Sequence, residues 1–134
     1  MRFAVGLLCL AALLAARPVL AQECDDSSNQ SQLNECADLA LIKTKAAVKE
    51  AYDEIMGRLK DDPEGRERLA AAQKAWDAYS KAECDFSTGD TVNGSIHPML
   101  SLECLDDLSR QRLDKLRAYL KCEEGDLTCP VPAK

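Results

Sequence analysis

Six cysteines, Cys24, Cys36, Cys84, Cys104, Cys122 and Cys129, carry most of the reactive chemistry in this chain beyond its first twenty-one residues. Thiolates of this number either hold a metal or pair with one another. No Cys-x-x-Cys occurs and the chain has 1 histidine, His97, so a tetrahedral zinc set lacks ligands at the usual spacing. An even number of cysteines in an exported chain reads instead as three disulfides, among about 15 connectivities. Nucleophilic catalysis would need a free thiol or hydroxyl beside a histidine that a third group orients. With the thiols oxidised and His97 isolated before Pro98 in a turn-rich stretch, that arrangement is not met. The 23 acidic residues fall mostly on predicted solvent faces, where carboxylates ordinarily do solvating work. No glycine-rich phosphate loop follows a strand. No enzyme, no metal and no cofactor is expected, and binding is the remaining class of function.

The residues best placed for binding lie between Phe86 and Pro98, in STGDTVNGSIH, a segment of turn formers without helical period. Loops of this length inside a compact domain are uncommon unless they have a function. Asp85, Asp90, Asn93, Gly94, Ser95 and His97 are its candidate binding residues, and a bridge at Cys84 would pin it.

Three helices must position that segment. Leu33, Ala37, Leu41, Thr44, Val48, Ala51, Tyr52, Ile55 and Leu59 follow one stripe for seven turns, which predicts a first helix beginning near Ser28 to Ser31. Asp61-Asp62-Pro63 breaks it, with Asp62 suited to cap and Pro63 to open the next helix. That second helix runs to about Cys84 or Asp85. Its stripe of Leu69, Ala72, Gln73, Trp76 and Tyr79 holds the single tryptophan, so the rest of the chain is expected to fold against Trp76. The short connection makes helices one and two antiparallel neighbours. A third helix starts between Ser95 and Met99 and continues to about Leu120, carrying Arg112 on its apolar stripe, where a cation needs a carboxylate or carbonyl. No strand is predicted. The expected fold is all-α, a three-helix antiparallel bundle stapled by disulfides.

In such a hairpin Cys84 and Cys104 fall at the same end and are expected to pair. Cys24 and Cys36 map to that end as well, so Cys24–Cys36 is the simplest remaining bond, with Cys36–Cys84 plus Cys24–Cys104 as the alternative. Cys122 and Cys129 would close a small loop around Gly125. Each bridge adds on the order of 2–4 kcal/mol, mainly by restricting the unfolded chain.

Arg2, the apolar run Phe3 to Ala16 and the small residue at Ala21 read as a signal peptide over 1–21, cleaved after Ala21. Cys9 follows Leu8 inside the apolar run, a context that does not suit lipidation, and no stable membrane anchor is expected. The helical domain then spans 22–122, with a Cys- and Pro-containing tail over 123–134. Cleavage removes Arg2 and Arg17 and no acid, leaving 15 basic and 23 acidic residues, a net charge of −8. That balance disfavours nucleic acid and anionic membranes and suits a basic protein partner in the periplasm or outside the cell.

Gln30, Leu33, Asn34, Cys36 and Ala37 in NQSQLNECA, Gln73, Trp76, Tyr79 and Cys84 in QKAWDAYSKAEC, Gly94 and Ser95 in NGSI, and Cys104, Leu108, Ser109, Arg112 and Leu116 in CLDDLSRQRLDKL form an ordered set. In this set the chain resembles the LprI-type lysozyme-inhibitor domain of exported bacterial proteins, from about residue 24 to 120. It departs from the family where Lys45, Val48 and Lys49 stand in place of the usual Asp, Leu and Asn ahead of Tyr52, and where Ser80 stands in place of Arg. The resemblance implies an inhibitor of lysozyme-type muramidases acting in the envelope. A non-enzymatic envelope scaffold that touches no lysozyme is the alternative.

Overall fold

The computed structural model describes residues 28–133. The expected leader over 1–21 and Cys24 lie outside the described residues. Three helices follow in order: α1 spans Gln30–Arg58, α2 Pro63–Ser87 and α3 His97–Tyr119, with a single 3-10 turn at Gly89–Thr91 and no strand among the described residues.

Each start has a local cause. Asn29 and Gln32 form a reciprocal capping box, Gln32 N donating to Asn29 Oδ1 at 3.1 Å and Asn29 N to Gln32 Oε1 at 2.9 Å. At α2 the side chain of Asp62 accepts from Gly65 N at 2.8 Å, and a proline opens the first turn. A proline also opens α3, which has no side-chain cap.

The chain runs up, down and up. Gln30 Nε2 reaches the Met99 sulfur and Asn34 Nδ2 donates to Ser95 O at one end, while Arg58 Nη1 donates to Leu120 O at 3.0 Å at the other. α1 and α3 are therefore parallel, and α2 is antiparallel to both. The core lies between α1 and α3 toward their C-termini, built from Ala51, Ile55, Leu59, Leu113, Leu116 and Cys122. Ile55 and Leu116 are both 0% exposed, and burying such a side chain contributes about 1.5–3 kcal/mol. Val131 packs into the same cluster, so the segment after Cys122 turns back onto the core. Gly125, at φ 88°, supplies the left-handed residue of that reversal.

Two expectations are corrected. The core is not organised around Trp76, which is only half-buried, and Tyr79 is 56% exposed. The inward stripe of α2 runs through Leu69, Gln73, Trp76, Ser80 and Cys84, so Tyr79 and Ala72 sit one step off the buried line. Within α2 only Cys84 is buried, because a helix this rich in alanine has little apolar surface to offer a neighbour. Nor do α1 and α2 pack along their lengths: α1 packs on α3, α2 packs on α3, and the first two helices are tied at the turn between them, where Arg66 Nη1 donates to Met56 O at 3.1 Å. Beyond that turn they stand apart.

Cys84 and Cys104 are bonded, with Cα atoms 5.7 Å apart, and join the C-terminal end of α2 to α3. That pairing excludes the alternative set. Cys122 and Cys129 are bonded as expected. Cys36 is disulfide-bonded too, but the expected Cys24–Cys36 pairing lies outside the described residues because Cys24 does.

Candidate functional site

The bridge brings together the segment expected to bind. α2 extends through Phe86 and Ser87, so the irregular part is residues 88–96, shorter than the sequence suggested. Its backbone is folded by its own hydroxyls. Thr88, buried, donates through Oγ1 to Cys84 O at 2.7 Å, and Thr91 Oγ1 donates to Thr88 O at 2.7 Å. Thr91 Oγ1 also lies 3.0 Å from His97 Nδ1. Since the single Thr91 hydroxyl proton is committed to Thr88, the His97 ring donates from Nδ1. Backbone bonds from Gly94 N to Thr91 O at 2.7 Å and from His97 N to Gly94 O at 3.1 Å complete two tight turns.

Of the residues singled out in the sequence, Asp90, Asn93, Gly94 and Ser95 are exposed on this segment. His97 is half-buried at the first turn of α3 and acts as a brace within it. Asp85 sits on α2, exposed and paired with Lys81. The sequence reading missed the apolar residues among them: Phe86 is 84%, Val92 62% and Ile96 40% exposed. It also missed the extent of the negative stretch. From Ala82 to Ser109 there is no lysine or arginine, while Glu83, Asp85, Asp90, Glu103, Asp106 and Asp107 supply six acids. Scanning for cation-free runs would have found it. Asp106 itself is 7% exposed and is held by Arg110, Nε at 2.8 Å and Nη2 at 2.7 Å from Oδ2. That hydrogen bond, then the Asp106 charge, raises the Arg110 guanidinium above its ordinary value.

The separation of α1 from α2 leaves a groove of about 630 Å³ floored by α3. Val48 and Tyr52 from α1, Gln73, Trp76 and Ser80 from α2, and Leu105 and Arg112 from α3 line it. Arg112 is the cation the sequence placed on an apolar stripe, and its acceptor is an amide: Nε donates to Gln73 Oε1 at 2.9 Å. Burial lowers the Arg112 guanidinium from its ordinary value, with Tyr119 and the carboxylate of Asp77 opposing. The Nη2 atom is buried without a hydrogen-bond partner among the described residues. Trp76 and Tyr79 meet edge to face, with centroids 6.0 Å apart.

A family model described as "Lysozyme inhibitor LprI" matches residues 23–116. The chain belongs to the LprI lysozyme-inhibitor family. An uncharacterized protein of Rhizobium meliloti (strain 1021) is 31% identical over 114 residues, which cover 77% of this chain and 82% of that relative. No solved structure matches the chain. As an LprI domain the chain is an inhibitor module and not an enzyme, and the family implies a protein partner, a lysozyme. LprI proteins are typically exported, and among the described residues no helix is long and apolar enough to cross a membrane. Lys45, Val48, Lys49 and Ser80 all line the groove.

Proposed function

We propose that the mature chain, freed of residues 1–21 on export to the periplasm or beyond, inhibits a basic lysozyme-type muramidase by presenting the bridged end of its bundle to the enzyme's cleft. Asp85, Asp90, Asn93, Gly94, Ser95 and His97 form the polar part of the surface, and Phe86 and Val92 the apolar part. The observation that carries this reading is the coincidence, on one segment fixed by Cys84–Cys104, of a 28-residue stretch with six acids and no lysine or arginine and of an aromatic ring 84% exposed. Complementary charge accelerates encounter with a cationic enzyme. A segment already folded by its hydroxyls and its bridge loses little freedom on docking. A protruding aromatic is the kind of anchor that dominates interface energies.

The test is muramidase activity with equimolar mature protein against chicken-type, goose-type and invertebrate-type enzymes. Inhibition of at least one is expected, weakened about tenfold or more by Phe86→Ser, the loss of one anchor of about 1.4–3 kcal/mol. Unchanged rates for all three reject the reading.

A second reading, an envelope scaffold without lysozyme binding, is favoured by Leu39 and Ile42, 52% and 56% exposed three residues apart on α1. Recovery of an endogenous envelope partner that survives Phe86→Ser but not Ile42→Ser would support it.

A further inference from the structure

The chain carries −6 overall, yet the groove between α1 and α2 is lined by Lys45, Lys49, Lys81 and Arg112 against Asp77 and Asp85, two more cations than anions. Lys49 is occupied by Asp53 and Lys81 by Asp85. Lys45 has no ion-pair partner among the described residues. Arg112 is held through Nε by Gln73, and Gln73 Nε2 in turn donates to Asp77 Oδ1 at 3.0 Å, so the amide that orients the guanidinium is itself fixed. What the described chain does not supply is an acceptor for Arg112 Nη2. That nitrogen is closed to solvent, so a bound carboxylate would meet the guanidinium on the part of Arg112 that lines the groove, where the planar fork of arginine matches a carboxylate. Beside it the half-buried indole of Trp76 and the ring of Tyr52 offer flat apolar surface, with the hydroxyls of Ser80 and Ser109 on the same lining. The volume, about 630 Å³, is that of a small-molecule site and not of a packing defect.

We propose that this groove is a binding site for a small acidic saccharide, its carboxylate paired with Arg112 and drawn in by Lys45, and its ring laid on Trp76. Two cations on the lining without a carboxylate partner among the described residues, Arg112 and Lys45, with one half-buried indole and a rim of hydroxyl and amide groups, are the combination that recognises a sugar acid. A purely aliphatic carboxylate would leave the rings unused, and a neutral sugar would leave Arg112 unpaired. The groove meets the acidic end of the bundle at Asp85, which belongs to both, but its proposed ligand does not depend on the inhibitory reading.

Trp76 is the single tryptophan of the chain, so it reports the site directly. The experiment follows its fluorescence and indole N–H resonance in the mature protein during titration with two matched pairs, glucuronic acid against glucose and N-acetylmuramic acid against N-acetylglucosamine. In each pair the members differ by the carboxylate-bearing group. The proposal expects at least one acid to bind about tenfold or more tighter than its neutral match, with a dissociation constant in the millimolar range or below. The difference should shrink with salt and disappear in Arg112→Met. Should Arg112→Met fail to fold, Lys45→Glu, on an exposed position, is expected to weaken the acid several-fold and leave the neutral sugar unchanged. Equal responses within both pairs, no response of Trp76 up to about 10 mM sugar, or acid binding indifferent to both substitutions overturns the proposal. Muramidase inhibition measured alongside is expected to be the same for Lys45→Glu and wild type, which keeps the two sites' outcomes distinguishable.

Discussion

Replacing Cys84 and Cys104 together by alanine is the perturbation whose cost follows most directly from the structure. The bond closes a separation of 20 residues, and the chain-entropy relation for a loop of that size gives about 3 kcal/mol at 25 °C. The same relation gives about 2 kcal/mol for Cys122–Cys129, with a separation of 7. Cys84 is 1% exposed, so its removal also trims a buried contact, and the double variant should lose no less than the entropic figure. For a domain of this size each kcal/mol moves the midpoint by about 4–8 °C, so a fall of roughly 12–24 °C is expected. α2 has no other buried residue to hold its C-terminal end against α3. The loss should therefore be local before it is global: amide exchange in residues 82–97 rises first, while the Ile55–Leu116 core keeps its protection. Thermal melts followed by circular dichroism, with native-state hydrogen exchange, read both quantities. A midpoint within about 4 °C of the oxidised wild type, or uniform loss of protection across all three helices, would refute the reasoning.

Three further outcomes follow from particular contacts. Ile55→Ala should cost about 2–5 kcal/mol in chemical denaturation, whereas Trp76→Ala, at a half-buried groove position, should cost less than about 2 kcal/mol despite the larger deletion. A Cβ at Gly65 would lie 2.2 Å from Asp62 Oδ2, so Gly65→Ala should show none of the gain of about 1 kcal/mol that helix propensity predicts, and should recover it in an Asp62→Ala background where the cap is already gone. Hydrogen bonds from the Thr128 hydroxyl and then the Thr128 N–H hold the Asp126 carboxyl below its ordinary value. A carboxyl depressed on folding stabilises above its unfolded value and loses that contribution as pH falls through the folded one. The 122–129 loop should accordingly loosen only below the ordinary carboxylate range, and Thr128→Val should raise the Asp126 midpoint in an NMR titration.

The helices, the Asp62 cap of the second and two of the bridges were legible because they rest on local signals: the stripe from Leu33 to Leu59, Asp62 before Pro63, and the placement of Cys84 opposite Cys104. Which helix faces which was not. The single tryptophan suggests a centre, but a helix whose inward positions include Gln73 and Ser80 cannot bury it, and the long stripes of α1 and α3 find each other instead. The groove was invisible for the same reason, since it exists only because α1 and α2 diverge. Arg112 was noticed as a cation in an apolar stripe, although its partner, an amide 39 residues away, is a tertiary fact. The segment after Cys84 was marked by its turn formers. The exposure of Phe86 was not legible, because α2 runs past the expected end at Cys84 or Asp85 and the direction its ring takes depends on how that last turn packs.

The central claim, that the bridged acidic end is the inhibitory surface, is tested most directly by hydrogen-exchange footprinting of the mature protein with and without a lysozyme that it inhibits. Protection confined to residues 85–97 is the expected result. Protection over Leu39 and Ile42, or along the α1–α2 groove, with residues 85–97 unchanged, would contradict it.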